Sequence, residues 1–197
     1  TGRLTAHKLP SFKTHSLTSY FYSAQASIVD VSECQTPGDD TVNSTISNTT
    51  LFSTEPKLRF HHIHGRNARL SSNGLTASRP KALSEFNDSI LFSNRPLRQR
   101  ELFEVVIEKV VEHWNGSIEI GVTGVRPEDV TLPSTATDLS NNCIMASRTT
   151  LMLNGVTIRN DLPFDLDNCK TSCRIGVMRN GNNIHFFITG VDQGAEH

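Results

Sequence analysis

Apolar residues in the stretch 101–124 recur with spacings that fit two different elements. On its C-terminal side, Ile118, Ile120 and Val122 alternate with polar or small residues, which predicts a half-buried strand. On its N-terminal side the apolar positions form one helical stripe, although the four valines and one isoleucine there are stiff at χ1 and favour a sheet. The stripe consists of Phe103, Val106, Ile107, Val110, Val111 and Trp114. The pattern therefore predicts a strand at 118–122 and leaves strand and helix open before it.

Asn-Gly pairs between apolar runs predict tight turns of the kind that join hairpin strands. Between them lie short alternating segments, and in one of these Ile90 and Phe92 share a face with Leu91 opposite. Many short strands with frequent turn signals, and no convincing second helix, indicate an all-β antiparallel sandwich or barrel. This context favours a strand at 102–111. The pairs are Asn73-Gly74, Asn115-Gly116, Asn154-Gly155 and Asn180-Gly181.

Residues 1–57 differ in kind from the rest of the chain. They are rich in serine and threonine and show no apolar period, which predicts a largely irregular linker. One island, at 19–31, is aromatic and then β-branched, and it predicts either a strand or an interaction segment. From residue 58 onward the alternating apolar pattern begins.

Length and charge limit the possible partners. The chain has 197 residues, enough for one domain or one domain and a tail. With 19 basic and 20 acidic residues and a net charge of −1, it has no basic footprint for nucleic acid or an acidic membrane. No apolar run approaches the roughly 20 residues that a membrane span needs. We therefore expect neither nucleic-acid binding nor membrane insertion. The chain also has four cysteines, a number that is ordinary for a reduced cytosolic protein.

Candidate chemical groups are few. In the HHIH motif, His62 and His64 would share a face of a strand and could chelate a metal, but no third ligand is visible, so a structural or surface role is favoured. Cys169 and Cys173 could pair or bind zinc if strands place them face to face. No nucleophile, phosphate-loop or dinucleotide motif occurs. The glutamates of the central stretch fit a solvated face better than a catalytic dyad. We therefore predict no catalytic residue, metal or cofactor.

Arginine and asparagine crowd the turns between residues 64 and 100. On rigid loops these residue types suit recognition of peptide backbone and polar side chains. A soluble loop surface with asparagine in turns explains the same pattern, and the residues alone leave both interpretations open. The predicted partner-binding residues are Arg66, Asn67, Arg69, Asn94 and Arg95.

Three segments together closely resemble the neuralized homology repeat, and their motifs, in this order, are hard to obtain by chance. They are RFHHIHGRNARL at 59–70, the run at 82–130 with EFNDSI, SNRPL, ELFEVVIEK and W-x-GSIEIGVT, and RIGVMRNGNNIHFFITGVDQG at 174–194. The resemblance covers about 58–194. It is strongest to family members that string several repeats together without a RING domain. Residues 19–35 weakly resemble the tail that closes a preceding repeat.

The resemblance implies a β-sandwich of the SPRY or concanavalin-like type, without catalytic residues, whose repeats bind protein partners. In this family some repeats recognise Notch ligands and short asparagine-containing motifs. Multi-repeat members resemble scaffolds at centrioles, associated with a HECT-type ubiquitin ligase. The implied domain is 58–197, after a Ser/Thr-rich linker or preceding tail at 1–57. The implied function is a non-enzymatic interaction module in a scaffold or ubiquitin-ligase adaptor. Its implied partners are a centriolar protein, a HECT-type ligase or a Notch-ligand tail, and its implied location is cytoplasmic or centrosomal.

The resemblance also sharpens local predictions. It favours a strand at 102–111 that is either covered on both faces or broken by a bulge near Lys109, and it makes Trp114 a core anchor. The family continues through one more strand after the position of His197, so we expect either an open sheet edge or a strand supplied by residues 27–31. The alternative function is a glycan-binding, lectin-like β-sandwich. Asp165 and Asp167 are spaced for a calcium site, although the rest of a calcium loop is absent.

Overall fold

The structure is a computed structural model that describes residues 18–22, 25–28, 56–112, 114–116, 118–139 and 142–196, the first two ranges by backbone alone. Within these ranges no α-helix occurs, and three single-turn 3-10 helices lie at Pro127–Asp129, Ala136–Asp138 and Leu166–Asn168. The strands are β1 Thr18–Tyr22, β2 Gln25–Ile28, β3 Arg69–Leu70, β4 Thr76–Ser78, β5 Ile90–Phe92, β6 Leu102–Lys109, β7 Glu119–Thr123, β8 Cys143–Ser147, β9 Thr150–Leu153, β10 Val156–Arg159, β11 Arg174–Asn180, β12 Asn183–Ile188 and β13 Val191–Glu196.

The strands form two antiparallel sheets. The first sheet has the order β10-β9-β8-β7-β1-β5, and the second has the order β13-β12-β11-β6-β2-β4-β3. Each central strand alternates between the two faces of its sheet, because successive side chains of a strand point to opposite faces. The inward residues of both sheets form one main core. The predicted all-β antiparallel sandwich is confirmed.

Strand β6 settles the ambiguity of the central stretch in favour of a sheet. Its residues Phe103, Val105 and Ile107 are fully buried in the main core, opposite the inward residues of the first sheet. Lys109 pairs with Gln25 and Ile107 pairs with Ala26, so one residue of β6 is extra at this point. This is the predicted bulge near Lys109, since two residues of one strand oppose one of its partner.

The prediction of a hairpin at Asn115-Gly116 is wrong. Strand β6 belongs to the second sheet and β7 to the first, so this turn crosses between the sheets. Gly116 does adopt a left-handed φ of +66°, as a tight turn requires. The prediction that Trp114 anchors the core is also wrong. Trp114 is half-buried and lies outside the main core, because the crossing carries it to the rim of the sandwich.

A second, smaller core covers the outer face of the first sheet. The segment after β7 folds back so that Ala136 and Leu139 pack against Ile90 and Phe92. Leu91, between those two, points instead into the main core. The opposite orientation of neighbouring residues in β5, predicted from alternation alone, is therefore confirmed, and each face of this strand has its own apolar layer.

The Asn73-Gly74, Asn154-Gly155 and Asn180-Gly181 turns join β3–β4, β9–β10 and β11–β12, as predicted. N-terminal to them, β1 pairs with β7 and β5, and β2 pairs with β6 and β4. Part of the 19–31 island is thus strand, and residues 27–28 supply a sheet position. The remaining residues of that island, and the rest of the predicted linker up to residue 55, lie outside the described ranges. The domain boundary at 58 stays a prediction.

Candidate functional site

Strand directions divide the loops between two ends of the sandwich. Because β6 and β11 are antiparallel, with Val106 opposite Arg174, the loop after β6 meets the loop before β11. We call this the tryptophan end, formed by the loops 79–88, 110–118 and 160–173. At the opposite end, the loop before β6 meets the β11–β12 turn. We call this the arginine end, formed by residues 93–101 and 179–183.

A cleft of about 80 Å³ opens at the tryptophan end. Apolar and polar side chains both line it, and the surface that it exposes is mostly polar. A cleft that exposes mostly polar groups suits a ligand that carries hydrogen-bonding groups of its own. We call it the Trp114 cleft, and it is lined by Val110, Val111, Glu112, Trp114, Asn115, Ile118, Asp167, Cys169 and Lys170.

Asp167 holds the floor of the Trp114 cleft together. Its two carboxylate oxygens accept the backbone N–H of Gly116 at 2.8 and 3.1 Å, and Arg148 Nε lies 3.1 Å from Oδ2. Asp165 in turn accepts the N–H of Asp167 and caps a 3-10 turn. The pair that suggested a calcium site is therefore engaged in holding loops. Among the described residues no group of three or more histidine, cysteine or acidic side chains could hold a metal ion.

Trp114 forms one wall through contacts to the loop after β4. Its indole Nε1 donates to the carbonyl oxygen of Ala82 at 2.7 Å, and its ring meets Phe86 edge-on with centroids 5.6 Å apart. Edge-to-face contacts of this kind are a favoured aromatic geometry. Trp114 thus anchors a loop at the rim.

Cys169 is buried in the cleft wall, and Cys173 is half-buried beside it. Burial raises the pKa of the Cys169 thiol, and the hydrogen bond with Cys173 raises it further. Both thiols are free. Because the thiolate is the reactive form of cysteine, Cys169 is a packing residue and a poor nucleophile.

The HHIH motif places one histidine inside the fold. His61 is buried, its Nε2 lies 3.2 Å from Glu128 Oε1, and its Nδ1 accepts the N–H of Ile63. Burial lowers the pKa of His61, as does the neighbouring His62, and these effects outweigh the attraction of Glu128. His64 bonds instead to the carbonyl of Gly65. The motif therefore links the start of the domain to the 3-10 turn after β7.

Of the predicted partner-binding residues, Asn67 is buried. Its Nδ2 donates to the carbonyl oxygens of Glu85 and Asn87 at 3.5 and 3.2 Å, and its Oδ1 accepts the N–H of Lys81. Buried backbone groups need hydrogen-bond partners, and the Asn67 side chain is that partner for three backbone groups of the loop that Trp114 contacts. In this structure Asn67 therefore stabilises a loop.

Asn94 and Arg95 fasten the segment 56–59 to the loop after β5. Asn94 accepts the N–H of Arg59 at 2.9 Å. Arg95 Nε donates to the Pro56 carbonyl at 2.7 Å, while its two terminal nitrogens bond to both oxygens of Glu101 at 2.7 and 2.6 Å. Most of their hydrogen-bonding capacity is thus used inside the fold.

Arg66 and Arg69 remain exposed. The side chain of Arg66 is 81% accessible and bonds to Asp88 at 2.6 Å, and Arg69 begins the edge strand β3. The structure brings Arg66, Asn67 and Arg69 to the tryptophan end and leaves Asn94 and Arg95 at the arginine end. The extended segment from Asp88, the partner of Arg66, to Asn94 runs through β5 and spans about 20 Å. Partner binding by these five residues stays a prediction. The sequence analysis missed Asn115 and Lys170 at the cleft rim, where Trp114 was the available signal.

Comparisons with known proteins agree with this architecture. The family model described as Neuralized matches residues 60–197. Protein neuralized of Drosophila melanogaster is 39% identical over 89 residues, which are 44% of this chain and 11% of that protein. The human E3 ubiquitin-protein ligase NEURL3 is 35% identical over 78 residues, which are 39% of this chain and 29% of that protein. The chain thus spans less than a third of either relative.

A solved structure shares the fold. The crystal structure of the Drosophila melanogaster neuralized-NHR1 domain superposes with a TM-score of 0.53 at 26% identity, covering 72% of this chain and 82% of that one. Among the described residues, no helix is long and apolar enough to cross a membrane. That the parent protein carries several repeats stays a prediction. Because the family model covers well over half of the sequence and the solved domain has the same sandwich, the chain belongs to the Neuralized family.

Proposed function

We propose that this domain is a non-catalytic interaction module that binds a short peptide segment of a partner protein in the Trp114 cleft. The observation that carries the proposal is a side-chain-sized cleft with a mostly polar lining at one end of the sandwich, beside the exposed side chain of Asn115. Loops held by a fixed scaffold are where binding residues concentrate. The relatives include a ubiquitin ligase, which supports a role as the recognition part of a ligase adaptor or scaffold.

The rim of the cleft suits an amide side chain. Asn115 offers both a donor and an acceptor, and it is exposed next to Gly116, whose N–H is fixed by Asp167. Lys170 and Glu112 stand 3.8 Å apart at the same rim and add a cation and an anion. An asparagine side chain needs a donor and an acceptor together, so we propose short polar segments containing asparagine as ligands.

Arg66 and Arg69 are the predicted residues best placed to assist. They are exposed at the tryptophan end, and guanidinium groups can donate to peptide carbonyls. Asn67, Asn94 and Arg95 would act indirectly, by holding loops in place. The partners proposed for the whole protein are a centriolar protein, a HECT-type ubiquitin ligase or a Notch-ligand tail, with a cytoplasmic or centrosomal location. Asp165 and Asp167 give no support to the lectin-like alternative, because their carboxylates accept backbone N–H groups and so hold loops in place.

The test is a titration of the full chain with a fluorescein-labelled octapeptide containing two asparagines, compared with the same peptide carrying alanines. We expect micromolar binding that the alanine peptide weakens. Asn115→Ala should weaken it about five- to tenfold, as expected for one hydrogen-bonding group of roughly 1 kcal/mol. Asn182→Ala, an exposed asparagine at the arginine end, is the matched control and should bind like wild type. Equal binding of both peptides, or equal loss in both variants, would reject the cleft as the binding site.

A further inference from the structure

The arginine end carries an excess of positive charge. Residues 93–101 and 179–183 contain four arginines and one acidic residue, Glu101. The chain as a whole has a net charge of −1, so the basic residues here are a local concentration. The arginines are Arg95, Arg98, Arg100 and Arg179.

Glu101 is already engaged within the fold. Both of its oxygens bond to Arg95, at 2.6 and 2.7 Å, and one of them also accepts the N–H of Arg98 at 2.8 Å. The side chains of Arg95 and Glu101 are 14% and 20% exposed, so this pair faces inward. The acid therefore pairs with Arg95, and the sequence of these two loops contains no second carboxylate.

Arg100 is held in an unfavourable backbone conformation that aims its side chain. Its φ is +60°, a left-handed value that non-glycine residues seldom adopt. Its N–H donates to the carbonyl of Arg179 at 2.8 Å, and its Nε donates to Asn180 Oδ1 at 3.2 Å. Gln99 donates to the same Asn180 oxygen. Backbone strain of this kind persists where surrounding contacts impose it, and it is frequent at ligand-holding positions.

These contacts occupy Nε of Arg100 and leave its two terminal nitrogens. Nη1 and Nη2 make no hydrogen bond within the part of the chain that the structure describes. Those two nitrogens are the ones that grip a carboxylate end-on with two parallel hydrogen bonds. We infer that the arginine end is a second binding surface, which recognises a glutamate or aspartate side chain in an acidic segment of a protein partner through Arg100.

An acidic peptide fits this surface better than nucleic acid does. A phosphate backbone is bound along a basic stripe or face of a protein with a high isoelectric point. Here the four arginines lie in two short loops of a chain whose isoelectric point is about 6.7. The surface is also separate from the Trp114 cleft, because the eight residues of β6, roughly 26 Å long, lie between the two ends.

The test uses a fluorescein-labelled peptide of alternating glutamate and serine, with a glutamine–serine peptide of the same length as its partner probe. Binding to the full chain is followed by fluorescence anisotropy. Arg100→Gln should weaken binding of the glutamate peptide about tenfold or more, since hydrogen bonds between charged groups are among the strongest. Arg100→Lys keeps the charge but loses the two-pronged grip, so its affinity should fall between those of wild type and Arg100→Gln.

Lys109→Gln removes one positive charge from an exposed residue at the far end of β6. It is the control, expected to bind within about twofold of wild type because its charge lies beyond the Debye length of roughly 8 Å. Asn115→Ala should leave glutamate-peptide binding intact, which separates this surface from the proposed cleft. Equal affinity for the glutamine peptide, or no binding at all, overturns the proposal. So does an equal loss in Lys109→Gln, or equally tight binding of a labelled single-stranded DNA of matched charge. Circular dichroism melts of each variant confirm that the fold is kept.

Discussion

The indole N–H of Trp114 donates to the carbonyl oxygen of Ala82 at 2.7 Å and so ties the crossing between the two sheets to the loop after β4. This bond joins residues 32 positions apart in the chain. Because Trp114 lies outside the main core, the wall of the cleft depends on this bond and on the contact with Phe86. The loop and the cleft should therefore respond together when the bond is removed.

Trp114→Phe tests that dependence. Phenylalanine keeps an aromatic ring beside Phe86 but leaves the Ala82 carbonyl without its donor, so we expect a loss of about 1–2 kcal/mol in the free energy of unfolding. Urea unfolding should be followed by far-UV circular dichroism, because Trp114 is the only tryptophan and its fluorescence disappears in the variant. Peptide affinity at the cleft should fall as well. A variant as stable as wild type would show that packing alone sets this wall.

Glu119 predicts a pH dependence. It is 6% exposed and lies opposite Ser147 on β8. Burial raises its pKa from an ordinary value near 4.5 to about 7, although the Ser147 hydroxyl opposes the shift. The folded protein therefore binds this proton more tightly than the unfolded chain does. The contribution of Glu119 to stability should be constant below pH 4.5, fall as pH rises to 7, and be constant above it.

Glu119→Gln isolates this effect. At 1.4 kcal/mol for each unit of pKa, the stability of the variant relative to wild type should rise by about 3 kcal/mol between pH 4 and pH 8. Other groups, including His61, titrate in both proteins and cancel in the difference. Chemical denaturation of both proteins at a series of pH values provides the measurement. Parallel stability curves for the two proteins would mean that Glu119 is ionised at an ordinary pKa.

The Arg95–Glu101 pair predicts the opposite pH behaviour. Burial alone would raise the pKa of Glu101, but hydrogen bonds from Arg95 and from the Arg98 N–H, with the charge of Arg95, lower it. This stabilisation is present above pH 4.5 and is lost as pH falls through the lowered pKa. Arg95→Met should cost about 2 kcal/mol at pH 7, as for charged hydrogen bonds in a partly buried pair, and less once acid has protonated Glu101.

A double-mutant cycle with Glu101→Gln gives the energy of the pair itself. A coupling energy near zero at pH 7 would contradict the assignment. Because Arg95 was predicted to contact a partner, peptide binding by Arg95→Met should also be measured. We expect its effect on stability to exceed its effect on affinity.

Gly155 and Gly181 form a matched pair of turn glycines with positive φ, +78° and +66°. An added Cβ at Gly155 would lie 2.5 Å from the Thr137 carbonyl oxygen, whereas at Gly181 nothing lies within 4 Å. Gly181→Ala should cost about 1 kcal/mol, the price of a left-handed alanine. Gly155→Ala should cost about 2 kcal/mol more, because the clash adds to that strain. Equal thermal destabilisation of the two variants would refute the contact with Thr137.

Local periodicity was sufficient to predict much of the sandwich. The faces of β5 followed from alternation, with Leu91 in the main core and Ile90 and Phe92 in the smaller one. The Asn-Gly pairs placed three hairpins correctly. The fourth, at Asn115-Gly116, failed because β6 pairs with β11, whose residue 174 lies opposite Val106. The residues beside the turn do not indicate a pairing partner that lies so far away in the sequence.

The structural roles of the predicted binding residues were harder to foresee, for a related reason. Asn67 and Arg95 look like free polar loop residues in the sequence, but each satisfies backbone or carboxylate groups from other loops. Which groups need a partner is known only once the chain is folded. The Trp114 cleft likewise combines the loop after β6 with the loop that contains Asp167 and Lys170, and no single motif contains both.

The insertion of β1 and β2 into the middle of both sheets has a kinetic consequence. Strand β5 joins the first sheet through β1, and the β3–β4 hairpin joins the second through β2. Neither sheet is continuous until β1 and β2 have paired with strands that lie far along the chain. Pairing over such long sequence separations slows folding into the millisecond-to-second range. During that time the edges of β4, β5, β6 and β7 lack these partners, and this is when the chain is most exposed to pairing with another molecule.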